Sequence, residues 1–171
     1  SNSSSRSVWS FIIKVIITVA TAVGGLIGDK VVCKLMRTIT LIIIHCSATP
    51  EGKSLSAEAC RQDHIDIGDS VTSVTIYITR DGEIHPGRPL EKVGAIAGII
   101  THIPIGICYE GGLDAEGQAK DTRTLAQRGT LLALIRELRK RFPKALVVGH
   151  HDLNPHKECP CYPCVEEYRE L

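Results

Sequence analysis

Toward its end the chain reads His150-His151-Asp152-Leu153-Asn154-Pro155-His156-Lys157-Glu158-Cys159-Pro160, and far upstream the aliphatic run Leu41-Ile42-Ile43-Ile44 ends in His45-Cys46-Ser47-Ala48-Thr49. Two imidazoles and one thiolate from separate segments can hold a zinc ion and leave a fourth tetrahedral position for water. That is the pattern of a catalytic rather than a structural zinc. Each position has a plainer reading beside this one. His45 could be a core or rim histidine at a strand end, and His151 stands next to His150 as a neighbouring or surface residue. Cys161 and Cys164 compete with Cys159, and the run Cys159-Pro160-Cys161 could by itself clip a structural metal or oxidise. Lys157 could be a solvated loop charge, His64 and His102 surface residues, and His85 a turn neighbour.

The bulk numbers bound what surrounds this group. A length of 171 residues fits one domain of ordinary size plus a tail. With 20 basic against 19 acidic side chains and no block of like charge, no nucleic-acid partner is expected. Seven cysteines, three of them crowded near the end, do not form the regular framework of a disulfide-stapled module, so mostly reduced thiols are expected. Phe11 to Ile27 is strongly apolar but is interrupted by Lys14 and Gly24-Gly25, so it falls short of the roughly 20 clean apolar residues of a spanning helix. The only methionine, Met36, precedes the first strand-like run and suggests a boundary at 35/36. Residues 1–35 read as a hydrophobic signal-like or anchor-like segment, or as read-through of an upstream peptide, and residues 36–171 as the working domain. Any membrane association is expected only through residues 1–35. The protein is then cytoplasmic if translation starts at Met36 and exported or membrane-associated otherwise; a monomer is expected.

The elements that must position the group follow from apolar patterning. Thr38 to Cys46 has the unbroken β-branched character of a strand buried on both faces. Ser54 or Ser56 can cap a helix through about Ile65. Val71 to Arg80 reads as a strand ending at the turn dipeptide Asp81-Gly82, with a short return strand over Glu83 to His85. Ile103 to Glu110 is another buried strand. Thr124-Leu125-Ala126-Gln127 opens a helix with a capping box, and its apolar face is expected to comprise Leu125, Leu131, Leu132, Leu134, Ile135 and Leu138. Pro143 stops it, and Ala145 to Gly149 supplies a last strand aimed at the site. Strands alternating with two or three helices imply a three-layer α/β domain around a mixed central β-sheet.

With these motifs in order, residues 37–171 resemble the N-acetylmuramoyl-L-alanine amidases of the phage-lysozyme and peptidoglycan-recognition-protein family. The likeness runs through Ile44 to Thr49, Thr79-Arg80-Asp81-Gly82-Glu83-Ile84, Gly87-Arg88-Pro89-Leu90, Val93-Gly94-Ala95, Ile105 to Gly112, the Thr-x-x-Gln helix start and His150 to Cys159. It implies that His45, His150 and Cys159 ligate Zn2+ and that Lys157 is the catalytic lysine. Arg88, together with Thr101 and His102, is expected to meet the substrate, a peptidoglycan or muropeptide. Amide hydrolysis needs a nucleophile at neutral pH, and zinc lowers the pKa of water from about 16 to about 7. A fixed ammonium such as Lys157 can stabilise the developing oxyanion.

Two segments depart from the family. Ser73-Val74-Thr75-Ile76 stands where relatives carry Gly-Tyr-His-aromatic, and Ile96 to Pro104 stands where they carry a histidine-rich cleft loop. Back-translation of 69–76 and 96–104 with suitable codons, read one base earlier, recovers Gly-Phe-Arg-Asp-Ile-Gly-Tyr-His and His-Cys-Arg-Asn-His-Asn-Ala-His-Ser. Paired compensating frameshifts are therefore expected in the gene or its sequencing. Loss of the tyrosine and histidine is expected to weaken turnover while leaving metal binding intact, which keeps open a catalytically impaired, muropeptide-binding homologue.

Overall fold

The computed structural model describes residues 39–56, 58–60, 74–86 and 104–171. Within them the chain forms β1 (Leu41–Cys46), β2 (Thr49–Pro50), β3 (Val74–Ile78), β4 (Ile84–Pro86), β5 (Ile105–Tyr109), β6 (Gly112–Leu113), α1 (Leu125–Arg141), β7 (Leu146–Gly149), α2 (His150–Leu153) and α3 (Cys164–Glu167). The main sheet has the order β4-β3-β5-β1-β7, and β2 pairs with β6 beside it. β1 runs parallel to both β5 and β7, β3 is parallel to β5, and β4 is antiparallel to β3. The sheet is therefore mixed, as its sequence pattern required.

Side-chain alternation with period two sorts the sheet residues onto two faces. Ile42, Ile44, Ile76, Ile78, Ile105, Ile107 and Tyr109 enter the larger core, with Leu131, Leu134 and Ile135 of α1. On the opposite face Tyr77 and Cys108 pack with Cys60 and the partly buried Leu55. Strands covered on both sides explain why β1 and β5 read as continuous aliphatic runs rather than as alternation.

α1 begins as the capping box predicts. Thr124 Oγ1 accepts the Gln127 backbone N–H, and the Gln127 side chain accepts the Thr124 N–H. The same groups also tie the helix to the sheet: Thr124 Oγ1 donates to the Arg80 carbonyl, and Gln127 Nε2 donates to the carbonyls of Ile78 and Glu110. The expected apolar face needs one correction, because Leu125 is 88% exposed while Leu131, Leu134 and Ile135 are buried. Leu125 occupies the first turn, where the helix is anchored by these polar caps rather than by apolar contact.

Most element boundaries shift by a residue or two at frayed or turning ends. β1 starts at Leu41, the expected start at Thr38 lying outside the described residues, β4 covers Ile84–Pro86 rather than Glu83 to His85, and β7 starts at Leu146 rather than Ala145. Ser56 caps the helical turn at residues 58–60 by accepting the Ala59 N–H. The expected continuation to Ile65 lies outside the described residues, as do the expected beginnings of the strands at Val71 and Ile103. Among the described residues no helix is long and apolar enough to cross a membrane.

Candidate metal centre

Two parallel strands end side by side and bring the two histidines together. In the β1–β7 ladder Ile44 pairs with Gly149, so the residue after each, His45 on β1 and His150 at the start of α2, lies at the same end of the sheet. Their rings meet edge to face with centroids 4.8 Å apart. His45 is buried, and His150 is half-buried at the start of α2.

The third group arrives on the returning C-terminal loop. The His151 N–H donates to the Cys159 carbonyl at 2.7 Å, and the Cys46 N–H donates to Cys159 Sγ at 3.2 Å. The same sulfur lies 3.8 Å from His45 Nδ1. One ligand atom each from His45, His150 and Cys159 lies within 4.8 Å of the other two. Zinc bonds nitrogen at about 2.0–2.1 Å and thiolate sulfur at about 2.3 Å, so donors of this type at this spacing fit a three-ligand site with one position left over.

Close packing holds the loop in place. A side chain on Gly149 would bring its Cβ to 2.7 Å from Pro160 Cδ and 3.2 Å from Cys164 Sγ, so Pro160 can lie against the strand end only because residue 149 is glycine. The Gly149 N–H is taken by Asp152 Oδ2 at 2.6 Å, and the buried Tyr109 hydroxyl donates to the Pro160 carbonyl at 2.7 Å. Beyond the loop Arg123 is 6% exposed and lies with Cζ 3.1 Å from the centre of the Tyr162 ring. Its guanidinium donates to both carboxylate oxygens of Asp121 and both of Glu167, and to the Tyr168 hydroxyl. Burial alone would raise the Asp121 pKa, but Arg123 and Arg128 outweigh it and hold the carboxyl below its ordinary value. The Arg123 hydrogen bond likewise lowers Glu167. An ionic and aromatic clamp thus fastens the segment that follows Cys159.

The structure separates the candidates that the sequence left open. Cys159 faces the histidines. Cys161 turns the other way, with Sγ 3.2 Å from the Gly112 carbonyl and 3.8 Å from Cys46 Sγ. Cys164 is buried against the strand end at Gly149, and burial pushes its thiol up to about 12. The Cys159 sulfur, partly offset by Cys161, and burial push Cys46 up to about 12 as well, so both stay neutral thiols at neutral pH. His151 is half-buried with Nε2 3.4 Å from Asp152 Oδ1, and so is not one of the three grouped donors. Among the described residues no two cysteines are joined by a disulfide. His85 sits on the edge strand β4 opposite Tyr77.

Lys157 is exposed on the turn between α2 and Cys159, its N–H bonded to the Asn154 carbonyl at 3.0 Å. Arg88, Thr101, His102 and His64 lie outside the described residues, as do most of the two departing segments. In the part that is described, β3 keeps the backbone ladder but with a register irregularity between Val74 and Ile76, and Ile76 is buried in the core. Arg123 was not singled out from sequence, because a lone arginine between two threonines carries no spacing signal that separates a clamp from a solvated charge.

With this geometry established, likeness to known proteins becomes informative. Residues 35–162 match the family N-acetylmuramoyl-L-alanine amidase, and residues 4–30 match a separate family of unknown function. The endolysin of Enterobacteria phage K11 is 34% identical over 119 residues, covering 70% of this chain and 78% of the phage protein. The endolysin of Escherichia phage T7 is 32% identical over 133 residues, covering 78% of this chain and 87% of its own. Among solved structures, the N-acetylmuramoyl-L-alanine amidase LysC from Clostridium intestinale URNW aligns with a TM-score of 0.59 at 25% identity, over 80% of this chain and 87% of that one. Bumblebee PGRP-SA shares the fold at a TM-score of 0.54 and 20% identity, over 78% of this chain and 82% of that one.

Proposed function

The chain belongs to the N-acetylmuramoyl-L-alanine amidase family and is a peptidoglycan amidase, and we propose that it cleaves the amide between the muramic acid lactyl group and L-alanine with a zinc ion held by His45, His150 and Cys159. The observation that supports this most is the convergence of two imidazoles and one thiol, from segments more than a hundred residues apart, to within 4.8 Å. Bound there, zinc supplies Lewis acidity, which polarises a carbonyl and makes water acidic enough to deprotonate near neutral pH.

The chain's own groups supply the rest. The buried His45 and the half-buried His150 and Cys159 fix the donor geometry, and the Cys46 N–H orients the Cys159 sulfur through a hydrogen bond. Lys157, exposed on the adjoining turn, is proposed to stabilise the negative charge developing on the scissile carbonyl oxygen. Arg88, Thr101 and His102 are proposed to contact the glycan or stem peptide. The working domain is proposed to be residues 36–171 acting as a monomer, with residues 1–35 a separate segment. The two family matches fit this division, since one ends at residue 30 and the other starts at 35.

A second reading, a homologue that binds muropeptide with little turnover, is favoured by the aliphatic residues that replace the expected tyrosine and cleft histidines. Incubation of the chain with purified muropeptide distinguishes the two. Release of free stem peptide that stops with a chelator and returns with zinc supports the amidase; zinc-loaded protein that binds fragments and releases none supports the second reading.

A further inference from the structure

Beside the metal group lies a second pair of sulfur atoms that are not among its three donors. Cys46 follows His45 at the end of β1, and Cys161 lies two residues beyond Cys159 on the returning loop. Their Sγ atoms are 3.8 Å apart, across a separation of 115 positions in the chain. Both residues are half-buried rather than sealed.

The local backbone makes room for this approach. Both sulfurs lie over Gly112, whose φ is +98°. A Cβ there would stand 2.5 Å from Cys46 Sγ and 2.7 Å from Cys46 Cβ, so any side chain at position 112 would collide with Cys46, while Cys161 Sγ at 3.6 Å would be in ordinary contact. Cys161 itself adopts φ 69°, a left-handed backbone that non-glycine residues rarely take, and this orientation directs its sulfur toward Cys46 and the Gly112 carbonyl instead of toward the histidines. The other close thiols, Cys60 and Cys108, are 4.0 Å apart but 1% and 0% exposed, out of reach of a dissolved oxidant.

We infer that Cys46 and Cys161 form a reversible disulfide that staples the His45 strand end to the Cys159 loop and slows loss of the bound metal. An S–S bond of about 2.05 Å requires the two sulfurs to close from 3.8 Å by side-chain rotation. The reaction is exchange with a low-molecular-weight disulfide. The two Cys S–H bonds and the reagent's S–S bond break, one protein S–S bond forms, and the reagent leaves as two thiols that carry the two protons and two electrons. Cys159 takes no part, because its sulfur is committed to the metal group. The metal-retention effect and the exclusion of Cys159 rest on the zinc reading above, whereas the approach of Cys46 to Cys161 does not.

The test uses the full chain loaded with zinc and treated with oxidised glutathione at mildly alkaline pH. Peptide mapping should find Cys46 joined to Cys161, with both lost to alkylation and zinc still bound. Transfer of zinc to a chelator should slow on the order of tenfold, return to its original rate after a thiol reductant, and show no oxidant response in Cys161→Ser. The reductant arm needs no variant and so reads out even where that substitution perturbs folding. Continued alkylation of Cys46 and Cys161 after oxidation overturns the proposal, and so does a cross-link that includes Cys159 with zinc expelled. A Cys46–Cys161 bond with unchanged zinc release overturns the retention claim. A chain that forms the bond but never held zinc contradicts the metal reading instead.

Discussion

His45 and His150 lie with ring centroids 4.8 Å apart because each is the residue that follows a paired position, Ile44 and Gly149, on adjacent parallel strands. Strand register thus converts a separation of over a hundred residues into a contact. Cys159 joins them only because the loop carrying it is packed and bonded against the same strand ends.

Removing a donor should therefore empty the site without unfolding the sheet. His45→Ala or Cys159→Ser is expected to reduce bound zinc from one equivalent to near zero. Loss of a group that merely orients a ligand costs about 10–100-fold in affinity or activity, so loss of a ligand should cost more. Metal analysis with circular dichroism on the same samples checks both halves. A Cys159→Ser protein that retains a full equivalent would transfer the ligand role to another thiol.

Gly149 should tolerate no larger residue, since a Cβ would meet Pro160 Cδ at 2.7 Å. Gly149→Ala is expected to cost about 1–3 kcal/mol through overpacking and to weaken zinc binding by displacing the Cys159 loop. Denaturant midpoints and competitive zinc titration measure these separately; unchanged values in both would show that the loop shifts at no cost.

Arg123 makes stability depend on acid. Asp121 and Glu167 have folded-state pKa values below their ordinary 3.8 and 4.5, so the unfolded chain binds protons first as pH falls. Their stabilisation is full above about pH 5 and is lost as acidification proceeds through those ordinary values and then through the lower folded ones. Metal-free protein should show a falling denaturant midpoint in that window. Arg123→Met should flatten the fall and lower stability by about 2–4 kcal/mol near neutral pH. A parallel pH profile in the variant would assign the acid sensitivity to other groups.

Lys157 is exposed, so its truncation should leave folding and zinc content alone. Lys157→Ala is expected to lower kcat about 10²–10³-fold, the scale seen when an oxyanion donor is removed. An increase in KM at constant kcat would instead make it a substrate-binding charge.

The two departing segments can be tested by replacement. Changing residues 69–76 to Gly-Phe-Arg-Asp-Ile-Gly-Tyr-His and 96–104 to His-Cys-Arg-Asn-His-Asn-Ala-His-Ser should raise muropeptide turnover about 10²–10⁴-fold if they supply general acid–base and positioning groups. Equal turnover would show that the chain does not depend on them.

The sheet and the metal group were legible because each leaves a mark in one dimension. Buried parallel strands read as aliphatic runs, the Thr124–Gln127 box announces its helix, and a strand that runs directly into His150 announces where that histidine points. What failed to show depends on partners distant in sequence. Leu125 looked like part of an apolar face because periodicity ignores the polar anchoring of a first turn. The β2–β6 pair, with two residues on each side, is too short for any pattern. The choice among Cys159, Cys161 and Cys164 turns on the direction of a folded loop, and the closeness of Cys46 to Cys161 and of Arg123 to Tyr162 leaves no trace in spacing.

Zinc-edge X-ray absorption on the zinc-loaded chain tests the central claim most directly, since it counts the donors around the ion. The expected shell holds two histidine nitrogens at about 2.0–2.1 Å, one sulfur at about 2.3 Å and one light solvent atom. A shell with two or more sulfurs, or a purified chain that takes up no zinc at all, would contradict it.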